Sequence, residues 1–478
     1  MTALRITLAA GAIMALTATS ALAEAGDVPC FATEVAANER MESCTALIED
    51  QELDDEIRSV ALTVRASQFQ EMDLTGKALA DLAQAIDLSP KLPFAYAARS
   101  EIRVDQKDFK GALADADAAL KLEPDHAETL MARGRIRSRL GDDAGALADF
   151  DQAISLDPQN ADHLQSRAVA RRFAGDLKGA IEDADLAVKL APGDPFSFVT
   201  RGGVYEAQGD DTRALADYDR ALAGNPDLLF ALTKRAELLI KSGEYRRAIP
   251  DLDRVLAETP DDGYALRVRV WGHTEAGDIA KARADYDRLV ATEDGEYEPL
   301  LERAYFFAEQ GQFDLALADI ARAAELTPEN AEVVGARGNI YARQRDWTRA
   351  IAEHDKAVRM APKDATILND GCWVRAQAGQ DLQRALDLCS QAVALAPTNF
   401  AYVDSRGLVR YRLGELNQAR DDVDAALALN PQAADALFVR GLIKLRQNDK
   451  TGGEADLATA RRIRPSIDKE YAGYGVQP

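Results

Sequence analysis

Beyond its first two dozen residues the chain lacks any long apolar run, and no later stretch approaches the ~18 residues that a membrane-spanning helix needs. An inserted membrane protein is therefore not expected. Aromatic residues are scarce at 6%, although apolar residues as a whole reach 47%. Alanine, the best helix former, fills the difference, which predicts an all-helical chain with close helix–helix contacts. Basic charge is also in deficit, with 57 Lys and Arg against 80 Asp and Glu and a net charge of −23. Such a surface repels phosphate backbones, so neither nucleic acid nor an anionic membrane is an expected partner.

Chemistry is sparse as well. The four histidines, His126, His163, His273 and His354, are scattered, and none stands at metal-ligand spacing from another histidine or a cysteine. Gly76-Lys77 lacks the upstream glycine of a phosphate loop, and no Gly-x-Ser-x-Gly elbow occurs. The expectation is a non-catalytic protein without cofactor or metal.

What is present begins at the N-terminus. Arg5, the mostly apolar run from Ile6 to Leu16 and the small-x-small tripeptide Ala21-Leu22-Ala23 fit a cleavable signal peptide over residues 1–23. This predicts export to a periplasm or the exterior. The cysteines, Cys30, Cys44, Cys372 and Cys389, are even in number, as disulfides in an exported protein require. Number alone permits three connectivities.

The chain also repeats. Prolines fall at 90, 124, 158, 192, 226 and 260, each 34 residues after the last. Asp294 takes the next slot, Pro328 and Pro362 resume the register, and one inserted residue shifts it to Pro397, Pro431 and Pro465. An alanine stands 22 residues past successive prolines, at Ala112, Ala146, Ala180 and onward, and another follows seven residues later in most repeats. Alanines so spaced share a helix face and admit a close neighbour. Each proline ends a second helix. Gly141-Asp142, Gly175-Asp176, Gly209-Asp210 and Gly277-Asp278 mark the turn, the glycine releasing the first helix and the aspartate suited to cap the second. The organisation expected is a 24–56 N-terminal capping segment, twelve repeats over 57–465, and a 466–478 C-terminal cap.

A 34-residue helix–turn–helix with these small residues and a closing proline resembles the tetratricopeptide repeat family. The resemblance implies an α-α superhelical solenoid of about twelve hairpins, because stacked repeats bury a continuous core at any length. Arg201-Gly202, Arg337-Gly338, Arg406-Gly407 and Arg440-Gly441 look like an arginine-glycine variant found in exported bacterial proteins. The opening Cys30…Cys44-Thr45-Ala46-Leu47-Ile48 and closing Tyr471-Ala472-Gly473-Tyr474-Gly475 segments resemble those proteins too.

Two slots depart from the family's usual apolar residues. Nine past each proline slot lies an arginine, from Arg65 to Arg337 and again at Arg406 and Arg440. Sixteen residues after each stands an acid, as in Arg201 with Asp217 and Arg235 with Asp251. Where Gly371 replaces the arginine, Leu388 replaces the acid. Joint loss is what a structural ion pair within each hairpin predicts, since unpaired charge near a core is costly. The recurring Asp-x-Asp, as in Asp217-Tyr218-Asp219 and Asp285-Tyr286-Asp287, lies mid-helix without the glycine of a calcium loop, and reads as a solvated face. Cys372 sits in the slot that holds Gly134 or Gly202, facing the slot of Phe150 or Tyr218 that Cys389 takes. Cys372 is expected to bond to Cys389, and Cys30 to Cys44.

Function then follows from the resemblance. It implies a scaffold for a protein or peptide of unspecified identity, or else an accessory or structural subunit of an envelope assembly or of polysaccharide synthesis and export machinery. Family members that clamp a chaperone tail carry lysine and asparagine seven and eleven past the proline. Here those pairs read Ala97 and Glu101, Met131 and Arg135, and Gln165 and Val169, so that ligand is not expected. By the same resemblance, slots four, seven and eleven line the concave face. In the middle repeats they hold Phe196 and Val199, Phe230, Tyr264 and Trp271, and Leu301 and Tyr305, whereas Glu128, Asp162, Glu332 and Asp435 take slot four in flanking repeats. A change from acid to aromatic suits a peptide groove, because aromatics supply binding hot spots.

Overall fold

The computed structural model describes residues 28–32 and 34–477. The expected signal peptide, with Ala21-Leu22-Ala23, lies outside the described residues. Two compact units divide the chain, one running to Val255 and the other from Leu256. Among the described residues every regular element is an α-helix.

The first unit opens with α1 (Ala37–Glu49). Five hairpins follow: α2 (Asp55–Glu71) with α3 (Thr75–Leu88), α4 (Pro93–Asp105) with α5 (Phe109–Leu122), α6 (Ala127–Arg139) with α7 (Asp143–Leu156), α8 (Ala161–Phe173) with α9 (Leu177–Leu190), and α10 (Pro195–Ala207) with α11 (Asp211–Gly224). Hairpin six, α12 (Leu229–Lys241) with α13 (Tyr245–Glu258), carries the division inside α13. The second unit continues with α14 (Gly263–Glu275) and α15 (Ile279–Thr292), α16 (Glu298–Glu309) and α17 (Phe313–Leu326), then α18 (Ala331–Arg343) and α19 (Trp347–Met360). Hairpins ten to twelve are α20 (Ala365–Ala378) with α21 (Leu382–Leu395), α22 (Phe400–Leu413) with α23 (Leu416–Leu429), and α24 (Ala434–Arg446) with α25 (Lys450–Ile463). The short α26 (Ile467–Gly473) closes the order.

Local chemistry sets these bounds. Each second helix stops two residues before the proline slot, because the residue ahead of a proline is driven out of the helical region; Ser89 and Glu123, for example, have φ near −133° and −135°. α15 ends at the equivalent Thr292 although Asp294 has replaced the proline. At the mid-hairpin turn Gly141, Gly175, Gly209 and Gly277 have φ of 75–82°, a left-handed conformation that glycine adopts without steric cost. Asp142, Asp176 and Asp210 cap the following helix, accepting from Gly145, Gly179 and Arg213 N–H. Asp278 makes no such bond.

Within each unit a second helix packs against the first helices on either side of it, and in most cases the first helices of adjacent hairpins also touch one another. The first helices therefore form the inner layer. Alanines 22 past the proline, such as Ala112, Ala146 and Ala180, are fully buried where the two helices of a hairpin meet. Slot ten and the residue sixteen beyond it are matched in size: a Cβ on Gly134 would lie 2.5 Å from the Phe150 ring, and one on Gly202 would lie 3.0 Å from Tyr218. In hairpin ten the same two slots are joined covalently, Cys372 to Cys389, with Cα atoms 5.4 Å apart. Cys30 bonds to Cys44 at a Cα separation of 4.7 Å and ties the segment before α1 to that helix.

The arginine of slot nine holds the acid of its own hairpin with a two-pronged grip, as in Arg201 Nε to Asp217 Oδ2 at 2.7 Å and Nη2 to Oδ1 at 2.8 Å. Arg235 and Asp251 repeat this at 2.7 Å on both prongs. In several hairpins the third guanidinium nitrogen reaches back to the preceding hairpin: Arg201 Nη1 meets Asp185 at 2.9 Å, Arg235 meets Asp219 at 2.8 Å, and Arg303 meets Asp287 at 2.7 Å. This corrects the reading of Asp-x-Asp as a solvated face. The first aspartate closes its own hairpin, and the second, half-exposed, ties that hairpin to the next. A second cation joins the buried acid in several repeats, four residues after the arginine: Arg103 on Asp115, Arg171 on Asp183, Arg410 on Asp422, and Lys444 on Asp456.

Two predictions follow from this ladder and its exceptions. Arg201→Ala leaves the buried Asp217 without its main partner and should cost about 3–5 kcal/mol, whereas Asp185→Ala, at the half-exposed rung, should cost under about 1 kcal/mol. Urea unfolding should show both, and Arg201→Ala/Asp217→Leu should recover most of the first loss. Equal destabilisation by the single and double variants would disprove the pairing. The second concerns His354, which fills the Phe150 slot of hairpin nine against Gly338, fully buried with no partner on either ring nitrogen among the described residues. Burial and then the nearby Arg375 charge push its pKa down from 6.5 to about 4. The folded state thus refuses a proton that the unfolded chain accepts, so this stability is complete above pH ~6.5 and lost as pH falls toward 4. His354→Phe should remove that increment of acid sensitivity; identical pH–stability curves would refute it.

Candidate functional site

An open groove of about 870 Å³ lies along the inner layer of the first unit. Hairpin two contributes Glu101, Val104 and Asp105, hairpin three Arg135, Ser138 and Arg139, hairpin four Gln165, Val169 and Phe173, and hairpin five Thr200. Counted from the proline, most of these occupy slots eleven, fourteen and fifteen. The lining changes along the stack: carboxylates at one end, two arginines in the middle, and an apolar stretch of Val169, Ala170 and Phe173 beyond them.

The polar groups differ in how they are held. Gln165 donates to Asp194 at 3.0 Å and to Ser197 at 3.1 Å, and Gln70 donates to Asp105 at 3.2 Å. Arg135 is accessible to solvent, and the surrounding walls lower its pKa by desolvation, opposed by Glu101 and Asp162. Ion pairs hold the ladder guanidinia, but the guanidinium of Arg135 meets no carboxylate within pairing distance among the described residues. Phe173 is 74% exposed, with the Arg172 guanidinium 4.3 Å from its ring centre. Among the described residues no three His, Cys, Asp or Glu side chains converge as a metal site requires.

The residues expected on the concave face divide. In the first unit Phe196 and Phe230 are more than half exposed and Val199 is half-buried; none of the three lines the groove. In the second unit Tyr264 is 54% exposed and Trp271 41%. Leu301 is corrected: only 5% exposed, it belongs to the core with Leu300, Ala304 and Ile340. Tyr305 packs against that core half-buried, its hydroxyl accepting from Asn339 Nδ2 at 3.3 Å. The physical cause is the side-by-side packing of first helices, which buries slot seven: Ala97, Met131, Gln165 and Thr233 are buried there as well. Slots fourteen and fifteen, which do face the groove, follow the same 34-residue clock and were readable by it.

Tetratricopeptide repeat family models match residues 100–174 and 374–444 in one case and 233–298 and 301–365 in another, together more than half of the chain. The chain belongs to the tetratricopeptide repeat family. It is similar to a tetratricopeptide repeat protein from Parabacteroides merdae, at 22% identity over 51% of this chain and 97% of that one, with a TM-score of 0.40. Yeast Tom70 matches at 16% identity over 87% of this chain and 94% of its own, with a TM-score of 0.45. The Cut9 and Hcn1 hetero-tetramer of the APC/C matches at 15% identity, 92% and 93% coverage, and a TM-score of 0.39.

Tetratricopeptide stacks are generally non-catalytic scaffolds that bind proteins or peptides. In this tetratricopeptide chain two ordinarily apolar slots have become the arginine–acid ladder. The groove-lining slots eleven, fourteen and fifteen lie on the other side of the same first helices.

Proposed function

We propose that the chain is an exported, non-catalytic scaffold that holds an extended segment of a partner protein in the groove of its first unit. The observation that carries this reading is Arg135, a solvent-accessible guanidinium without an ion pair among the described residues, at the centre of a groove built from inner slots of consecutive hairpins. A cation so placed gains most from a carboxylate supplied by a ligand. The acidic end beside Glu101 and Asp105 suits a basic residue, and the stretch from Val169 to Phe173 suits an apolar one. The second reading, a subunit of an envelope assembly, is favoured by the exposed Phe196 and Phe230, which stand at the starts of successive first helices and outside the groove.

Export rests on the signal-like residues 1–23 and is supported by the two disulfides, which persist in oxidising compartments. N-terminal sequencing of protein from a periplasmic or secreted fraction should begin near Glu24; a cytoplasmic protein retaining Met1 would contradict it.

Photo-crosslinkers placed at Val169 and, separately, at Phe230 distinguish the two readings in cells. A groove scaffold should give a defined adduct from Val169, mapped by mass spectrometry to one short segment of one protein. Arg135→Glu should weaken its capture about 30-fold, the loss of a hot-spot contact worth ~2 kcal/mol, with the melting temperature unchanged. Adducts confined to Phe230 would replace the groove with the assembly edge.

A further inference from the structure

The C-terminal segment does more than end the stack. From Ser466 it turns back and runs along the inner layer of the last four hairpins. Tyr471 lies against Phe438 with ring centres 4.5 Å apart and donates to Asp435 at 3.0 Å, both on hairpin twelve. Arg412 of hairpin eleven donates to the Tyr474 carbonyl at 2.6 Å. Tyr474 meets the Trp373 ring of hairpin ten edge-on at 6.4 Å. Gly473 passes so close to Arg345, in the turn of hairpin nine, that a Cβ would fall 2.7 Å from the guanidinium. Counted from their prolines, Asp435, Phe438, Trp373 and Arg412 occupy slots four, seven, eleven and fifteen. Slots eleven and fifteen are among those that line the open groove of the first unit, and slots four and seven lie on the same first helices.

We infer that the inner face of hairpins nine to twelve is a peptide-binding surface kept closed by the chain's own residues 466–477, and that its partner is a segment carrying two aromatic rings three residues apart. The resident segment shows what the surface recognises. One ring fits between Phe438 and Asp435, a second stands against Trp373, and a main-chain carbonyl is read by Arg412. Between the rings Gly473 lies against the Arg345 guanidinium, which would have to shift to admit a side chain. A ring pair and a carbonyl are features that another chain can present equally well.

The closed state also holds an unmet demand. Asp404, on hairpin eleven beside Tyr471 and Asp435, is buried, and its Oδ1 has no hydrogen-bond partner among the described residues. Desolvation and then the Asp435 charge hold its carboxyl well above the usual range, opposed by Arg464. A protonated carboxyl can donate as well as accept, so an incoming segment that brings a polar partner to Asp404 would satisfy a group that the resident one leaves unmet. This inference does not depend on the groove of the first unit.

The probe is a labelled synthetic peptide of residues 466–478, offered to the full chain and to a chain ending at Pro465. The shortened chain should bind it at least ~10-fold more tightly than the full chain does. Trp373→Ala in the shortened chain, or alanine in place of both tyrosines in the peptide, should abolish the gain. A shortened chain that melts cooperatively yet binds no better than the full chain would overturn the inference. Should shortening prevent folding, hydrogen exchange on the full chain decides. Tail amides such as Glu470 and Val476 that exchange at least ~10-fold faster than those buried in α24 indicate local release. Exchange of both at one common rate would make the tail a fixed part of the core and refute the proposal.

Discussion

In most hairpins one guanidinium closes its own hairpin, in several it has a second job of holding the hairpin before, and the stack is organised around it. Arginine at slot nine offers a planar fork of donors, so two nitrogens grip the buried acid of its own second helix while the third reaches the half-exposed aspartate of the hairpin before. An arginine–acid pair near a core is a weak source of net stability, because desolvation consumes most of the attraction. Its value lies in register. Sliding the second helix by one residue turns the acid about 100° away from the fork and leaves two charges stranded near the core. The same slip breaks the link to the preceding hairpin. Apolar packing among alanines tolerates such slips far better than a bidentate ion pair does, and this interior is rich in alanine.

Hairpin ten shows that the two jobs are separable. Gly371 and Leu388 abolish the fork, and the Cys372–Cys389 bond closes the hairpin next to those two slots. The link backwards survives by another route. Arg375, four residues after Gly371, is buried and binds both oxygens of Asp355 on the preceding hairpin at 2.8 Å. Hairpin nine shows the converse. Its Arg337 still holds Glu353, but Ala321 stands where a rearward aspartate is needed, and the Arg337 Nε is buried without a partner among the described residues. Closure is kept in both, by different chemistry, while the rearward link is rerouted in one and absent at that slot in the other.

This separation explains what could be read from the sequence. Proline, glycine and alanine each act within a few residues of themselves, so their 34-residue clock revealed the hairpins directly. The pair within a hairpin was legible because Gly371 and Leu388 change together. The rearward link was missed because Asp185 or Asp219, mid-helix and acidic, carries the same local signature as a solvated face. Its partner is known only once hairpins are stacked. Leu301 failed for a related reason: slot seven is a surface on one hairpin and an interior in a stack. The tail was further out of reach, since Arg412 and Tyr474 meet across 62 residues with no periodic signal to connect them.

Helix geometry keeps these roles from interfering. At 100° per residue, slot thirteen lies about 40° from slot nine, which is why Arg103, Arg171, Arg410 and Lys444 reach the same buried acids as the ladder arginines. Slots eleven, fourteen and fifteen lie about 200°, 140° and 240° from slot nine, on the far side of the helix. Substitution there leaves the ladder untouched. One set of first helices can therefore present Arg135 and Val169 to an open groove in the first unit, and Trp373 and Arg412 to the chain's own tail in the second. The ladder fixes where each first helix stands; what its inner face displays is left free to differ from hairpin to hairpin.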